Sequence, residues 1–289
     1  MKEGIVLLLG RPNVGKSTFV NNVIGQKIAI TSPKPQTTRL PIQGLYHEER
    51  GNIILTDTPG IFGKTTDTLS KKINEETLRA VHKESDVVIY MVDPTRRRDF
   101  EESRVLGHAR QMKAPVILVF NKMDIEKPKY LAHYKFLEEE FKDVFYISAL
   151  KVQHIKPLLD RIFELLPERE TASYTAEALS YPLLNMDSKG FIAELIREKI
   201  FIMMGEEIPY TTTVVVDEII ERNKNVLYIK ARILTMENRY KKMLIGKEGR
   251  KIKEMGSYAR KEIALATGKT VFLELNVETD PHWQDSLYL

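Results

Sequence analysis

Apolar and polar positions alternate in blocks along the first 165 residues of this 289-residue chain. Strand-like, mainly apolar runs fall at residues 5–9, 52–56, 87–92, 116–120 and 144–147. Between them, at about 17–24, 68–83, 100–112, 129–141 and 155–166, apolar residues recur at helical spacing. A strand that is apolar on both faces must be covered on both faces, as in a mostly parallel sheet. Alternation of such strands with helices predicts a doubly wound α/β domain. Residues 40–46 predict a sixth strand, paired antiparallel with 52–56 across the turn Glu48-Glu49-Arg50-Gly51.

The pattern changes after Pro167. Residues 168–182 are polar and small and read as a linker. Residues 189–204 read as an amphipathic helix, with Phe191, Leu195, Ile196, Ile200 and Met203 on one face. Two β-branched strands follow at 211–220 and 225–234, then a short basic helix at 239–244, a second from Arg250, and a closing strand at 270–277. The order α-β-β-α-α-β predicts a smaller α+β domain. The expected division is 1–167, a linker at 168–182, and 183–289.

Composition narrows the chemistry. With no cysteine there is no disulfide framework, thiolate metal site or cysteine nucleophile. The six histidines are scattered, without metal-ligand spacing. Met1-Lys2-Glu3-Gly4 leads straight into the first strand, and no apolar run approaches about 18 residues, so the expectation is a cytoplasmic protein. The net charge of +4 says less than its distribution. Residues 171–289 carry 17 basic and 17 acidic side chains, yet 230–261 hold 11 basic and 3 acidic. A positive patch in a neutral domain points to a specific polyanion site.

Candidate chemistry sits at the ends of the first domain's strands. Gly10-Arg11-Pro12-Asn13-Val14-Gly15-Lys16-Ser17 fits G-x-x-x-x-G-K-[ST] between a strand and a helix that begins with Thr18. Glycines let backbone amides wrap a phosphate at a helix N-terminus; Lys16 is positioned to reach β- and γ-phosphates and the Ser17 hydroxyl to bind Mg²⁺. Asp57-Thr58-Pro59-Gly60 offers a carboxylate that can hold Mg²⁺ through water and a Gly60 amide for a γ-phosphate. Asn121-Lys122-Met123-Asp124 offers Asp124 as a double acceptor for guanine N1–H and N2–H₂, with Asn121 bracing the loop and Lys122 over the base. Ser148-Ala149-Leu150 offers the Ala149 amide to guanine O6. Thr37 and Thr38 lie in a loop where one hydroxyl can complete a Mg²⁺ shell when a γ-phosphate is present; spacing alone does not choose between them.

In this order, GRPNVGKS, TTR, DTPG, NKMD and SAL resemble the five G motifs of a translation-factor-related GTPase. Asn at position 13 is shared with Era and TrmE-like proteins. In the second domain, Leu244-Ile245-Gly246-Lys247-Glu248-Gly249-Arg250-Lys251-Ile252 resembles the GXXG loop of a type II KH domain, whose element order is the one predicted. A Ras-like GTPase followed by a KH domain resembles the Era family of bacterial ribosome-assembly GTPases over nearly the whole chain.

The resemblance implies Thr38 as the Mg²⁺ ligand, GTP and GDP as ligands, and catalysis resting on Lys16, Thr38, Gly60 and Asn13. It implies that Asn13 ligates K⁺. It also implies slow intrinsic hydrolysis, because Ile61 follows DTPG where many Ras-like enzymes carry a water-orienting Gln. The partners implied are the single-stranded 3′ end of 16S rRNA and the 30S subunit. A monomer is expected. A peripheral association with the inner face of the membrane belongs to the family, although no amphipathic anchor stands out.

The residues of the basic loop support RNA in their own right. Gly246 and Gly249 permit close backbone approach to phosphates; Lys247, Arg250, Lys251 and Lys253 supply charge; Ile245 and Ile252 give bases an apolar surface, with Glu248 inside the loop. Two rival readings are a constitutive RNA scaffold whose nucleotide site only stabilises the fold, and a TrmE-like GTPase serving RNA modification. Against the latter, the chain has no cysteine and no second catalytic constellation.

Overall fold

The computed structural model describes residues 1–60, 68–170, 183–205, 207–223 and 225–285. The chain divides into two units: 1–31 with 38–185, and 32–37 with 186–289.

The first unit is built on β1 (Lys2–Leu9), β2 (Ile42–Glu48), β3 (Gly51–Asp57), β4 (Val87–Val92), β5 (Val116–Phe120) and β6 (Asp143–Tyr146). Their order is β2-β3-β1-β4-β5-β6. Only β2 runs antiparallel, paired to β3 with Leu45 opposite Ile54. β1 is flanked by parallel neighbours on both sides. Every residue of β3 and β4 is buried; β4 is accordingly apolar without alternation, as is the centre of β3 from Ile53 to Leu55. The described helices are α1 (Lys16–Ile24), α2 (Thr68–His82), α3 (Phe100–Gln111), α4 (Phe136–Glu140) and α5 (Ile155–Leu165). The continuous helix expected over 129–141 is instead a 3₁₀ turn at Leu131–Tyr134 followed by the short α4. Tyr134 explains the break. It is fully buried, and its hydroxyl donates to Arg96 O at 3.0 Å and accepts from Arg11 Nη2 at 3.1 Å, which fixes the turn to the interior.

The second unit consists of α6 (Ser188–Met203), β7 (Thr212–Asn223), β8 (Val226–Thr235), α7 (Asn238–Ile245), α8 (Arg250–Thr267) and β9 (Thr270–Thr279). The sheet order is β7-β8-β9, with β8 and β9 parallel. The Asp187 carboxylate caps α6 through Gly190 N at 2.7 Å. Ile229, Ala231 and Ile233 alternate inward along β8. Lys199 on α6 is buried and bonded to Glu198 at 2.7 Å and to Glu262 on α8 at 3.0 Å. Trp283 is 1% exposed and its indole N–H donates to Thr211 O at 3.2 Å, so it packs into the unit. Residues 32–37 belong here too: Lys34 Nζ donates to Phe201 O and Met204 O at the α6 C-terminus, and Arg197 Nη2 donates to Thr37 O. Carbonyls at a helix C-terminus attract a cation, so Lys34 acts as their cap.

Candidate functional site

The first unit gathers its candidate residues at the C-terminal ends of β1, β3, β5 and β6, around the N-terminus of α1. The loop after β1 turns on Asn13 (φ 64°) and Gly15 (φ 107°), both left-handed. A Cβ at Gly15 would lie 2.2 Å from Asn121 Nδ2, so only glycine lets these loops close on each other. Gly60 fits as tightly: a Cβ there would lie 2.3 Å from Pro12 N. Thr58 donates to Leu8 O at 2.6 Å, holding the loop after β3 against β1.

Lys16 is buried, and its ammonium donates to Gly10 O at 2.8 Å and Arg11 O at 3.0 Å. Burial lowers its pKa to about 8, with Asp57 working against the shift. Ser17 Oγ donates to Asp57 Oδ2 at 2.5 Å and lies 3.2 Å from Thr38 Oγ1. Burial raises Asp57 to about 6, offset by Lys16 and Ser17. Asp57 Oδ1 is buried without a hydrogen-bond partner. Two hydroxyls and a carboxylate with an unused oxygen form a hard-oxygen set that suits Mg²⁺. Thr37 is turned away: its hydroxyl bonds Ser32 Oγ at 2.6 Å and Lys34 O at 2.7 Å.

The loops after β5 and β6 are joined by Asn121. Its Nδ2 donates to Val14 O at 2.8 Å, and its Oδ1 accepts from Ala149 N at 2.8 Å. The Ala149 amide, assigned to guanine O6, is directed to the Asn121 carbonyl, because a buried N–H takes the acceptor its own loop supplies. Asp124 Oδ1 accepts from Ser148 Oγ at 2.6 Å, and Asp124 remains partly exposed. Lys122, at φ 63°, bonds the buried Asp93 at 2.6 Å. Leu150 stands 66% exposed beside this loop pair.

Sequence reasoning missed what lies beneath the phosphate loop. Arg11 is fully buried. Its guanidinium bonds Asp99 at 2.7 Å, Glu102 at 2.6 Å, Tyr134 Oη at 3.1 Å and Arg97 O at 3.2 Å. Tyr90 Oη donates to Glu102 at 2.5 Å. Burial pushes Glu102 up against the pull of Arg11. Arg96 adds a bond to Pro12 O at 3.0 Å. The only available signal was Asp99 three residues before Glu102, which reads as a helix cap; Asp99 does cap α3 through Glu102 N at 3.0 Å. Ile61, expected to slow hydrolysis, lies outside the described residues.

The second unit presents GKEG between α7 and α8. Gly246 (φ 71°) and Gly249 (φ 73°) are left-handed, as is Glu248 (φ 54°). A Cβ at Gly246 would meet Lys251 Cγ at 2.8 Å, whereas the space beside Gly249 is open. Lys247, Glu248, Arg250, Lys251 and Lys253 are exposed, and Ile245 and Ile252 are half-buried. The loop thus offers four cations and an apolar floor, while the amides of Gly246 and Gly249 donate to Lys242 O at 2.9 Å and Gly246 O at 3.2 Å. Among the described residues, no cluster of acidic, His or Cys side chains forms a further metal site.

The chain resembles known proteins over both units. A family model described as a 50S ribosome-binding GTPase matches residues 5–122, and a KH-domain model matches residues 207–284. GTPase Era of Halothermothrix orenii is 37% identical over 286 residues, covering 98% of this chain and 95% of that one. GTPase Era of Carboxydothermus hydrogenoformans is 38% identical over 288 residues, covering 98% and 94%. A crystal structure of Era with MgGDPNP and nucleotides 1506–1542 of 16S ribosomal RNA matches with a TM-score of 0.88 and 34% identity, covering 98% of this chain and 95% of that one. A variant of Aquifex aeolicus Era bound to GDP and AlF₄⁻ matches with a TM-score of 0.89 and 34% identity, covering 98% and 96%.

Proposed function

Because the chain belongs to the Era family of GTPases, we propose that it is a GTP-hydrolysing switch that binds the single-stranded 3′ end of 16S rRNA through its KH domain during 30S assembly. In this reading water attacks the γ-phosphate of bound GTP. The Lys16 ammonium exchanges its bonds to Gly10 O and Arg11 O for the β- and γ-phosphate oxygens, and the amides of Asn13 to Thr18 and of Gly60 stabilise the developing charge. Mg²⁺ supplies charge neutralisation at the phosphates when bound; Ser17 and Thr38 would hold it directly and Asp57 through water. Asp124 selects guanine by accepting from N1–H and N2–H₂, and the stem of Lys122 covers the base, its ammonium fixed by Asp93. Ala149 serves by closing the loop on Asn121. Gly246 and Gly249 admit RNA phosphates to the loop amides, and Lys247, Arg250, Lys251 and Lys253 neutralise them.

One observation supports the switch in particular. Thr38 Oγ1 stands 3.2 Å from Ser17 Oγ in the first unit, while Thr37, one peptide bond earlier, is held by Arg197 in the second. Movement of Thr38 with nucleotide state therefore pulls on a segment that the RNA-binding unit grips. By linkage, GTP and RNA then strengthen each other's binding. RNA crosslinking with sequencing, run with a GTP analogue and with GDP, tests this. Enrichment at the 16S 3′ end that rises with the analogue is expected; scattered crosslinks, or equal ones in both states, sink it.

K⁺ is a second element of the proposal. Asn13 holds a left-handed turn in the phosphate loop, where its carbonyl oxygen can face a monovalent cation beside the phosphates. Turnover is then faster in K⁺ than in Na⁺; equal rates rule the role out. The reading also places the protein in the cytoplasm as a monomer.

A further inference from the structure

The loop between β4 and α3 carries Arg96-Arg97-Arg98-Asp99-Phe100; the Arg96 and Asp99 side chains brace the phosphate loop, and those of Arg97, Arg98 and Phe100 have no part in the nucleotide site described above. Arg97 and Arg98 are exposed, and Phe100 is 66% exposed. A phenylalanine left in water at the first position of α3 contributes nothing to the core. Arg98 lies over the ring of Phe136, 4.9 Å from its centroid, and Phe136 is itself 38% exposed. Lys135 beside it is exposed. Close by in sequence, Lys129 sits 5.4 Å over Tyr130, whose ring meets His133 edge-on at 5.6 Å. Tyr130 N donates to Pro94 O at 3.0 Å, so the two segments are one surface.

The acidic neighbours do not cancel this charge. Asp99 is paired with Arg11 and Glu140 with Arg110 at 2.6 Å, while Glu138, bonded to the neutral Tyr146 hydroxyl at 2.5 Å, keeps its charge. Counted without regard to their own partners, Glu101, Glu138 and Glu139 stand against the four cations Arg97, Arg98, Lys129 and Lys135. The loop is also rigid. Arg11 holds Arg97 O and Asp99 from inside, Tyr134 holds Arg96 O, and Arg96 holds Pro12 O. A solvated charge run has no such scaffold beneath it, whereas a binding surface gains from pre-organisation.

We propose that Arg97, Arg98, Phe100 and Phe136 form a second contact for single-stranded RNA, on the GTPase unit, separate from the KH loop. Guanidinium groups interleaved with exposed rings suit a strand whose phosphates need cations and whose unpaired bases need flat apolar faces. An acidic protein surface would use the cations and leave the rings unused.

The test uses the full chain and fluorescent oligo(U) across a salt series, with mass-spectrometric mapping of ultraviolet crosslinks. Crosslinks in the peptide carrying Arg97–Phe100 are expected. Arg97→Glu/Arg98→Glu should weaken binding about tenfold and lower the slope of log K against log salt by ~1–2. Phe100→Ser should weaken it roughly fivefold with the slope unchanged, the signature of lost stacking. Basal GTP turnover should stay the same in both. Unchanged affinity and slope overturn the proposal, as does a loss confined to binding of polyglutamate, which would make the surface a protein-docking face. Lys247→Ala/Lys251→Ala keeps the two readings separable: weakening there alone leaves the KH assignment standing without this one, and weakening at Arg97 and Arg98 alone does the reverse.

Discussion

The nucleotide site and the GKEG loop both turn on glycines in left-handed backbone, yet they are built oppositely. Around the phosphate loop nearly every polar side chain is buried and partnered, and partners come from distant parts of the chain: Asn121 to Val14, Arg11 to Asp99 and Tyr134. Around GKEG the charged side chains stand in solvent, and the shape rests on two left-handed glycines. The first site discriminates between ligands because mispairing strands a buried polar group. The second presents charge and glycine backbone in solvent, where losing one contact strands no buried group.

The widest separation between them is expected in selectivity. Asp124→Asn should reverse preference from GTP toward XTP, shifting the ratio of affinities by about four orders of magnitude, measured by competition binding. Unchanged GTP selectivity would remove Asp124 from base recognition. Arg11→Met comes next. It leaves Glu102 charged and buried without its partner, so unfolding in urea should show a loss of about 3–5 kcal/mol, and Glu102→Gln in the same chain should restore much of it. A loss below about 1 kcal/mol would mean that water reaches the cluster and that the first site is less interlocked than described.

At the second site the expected effects are smaller and concern backbone. Gly249→Ala should cost about 1 kcal/mol through its left-handed φ and weaken RNA binding while GTP affinity is kept; Gly246→Ala should cost more, since its Cβ also meets Lys251. Equal costs would show that φ, and not the crowding at Gly246, sets the tolerance. The smallest effect is in pH. Hydrogen bonding and attraction from Arg232 hold Asp217 below the usual carboxylate range. A lowered folded value stabilises the protein at pH above the unfolded carboxylate's value and loses that contribution as pH falls through the folded one. Arg232→Met should therefore flatten the acid side of the urea-midpoint profile and leave its alkaline side unchanged.

Much of this was legible in the sequence for a physical reason. Apolar runs and helical spacing are local signals, and each G motif is a contiguous stretch that follows a strand. The six-stranded sheet and the order α-β-β-α-α-β could thus be read directly. The Arg11 cluster could not, because its members lie 88 and 123 residues from Arg11 and each looks ordinary alone. The interrupted helix at 129–141 has the same origin: helical periodicity was present, but burial of Tyr134 against Arg11 decided the local geometry. The choice between Thr37 and Thr38 turned on side-chain direction, which spacing does not encode. The acceptor that the Ala149 amide takes in this structure lies 28 residues earlier, on Asn121, where no contiguous motif could show it.

Asn121 carries a consequence for how the first unit folds. Its single amide closes a contact 107 residues long to Val14 and another to the loop after β6. Contacts of such separation form only after intervening chain has been ordered, so they belong to the late, slow part of folding. A chain with β1 to β4 in place but β5 and β6 unpaired would possess the phosphate loop without the brace that closes it. Nucleotide should therefore discriminate finished molecules from nearly finished ones, raising the stability of the native state alone and leaving partly folded chains to be unfolded or cleared.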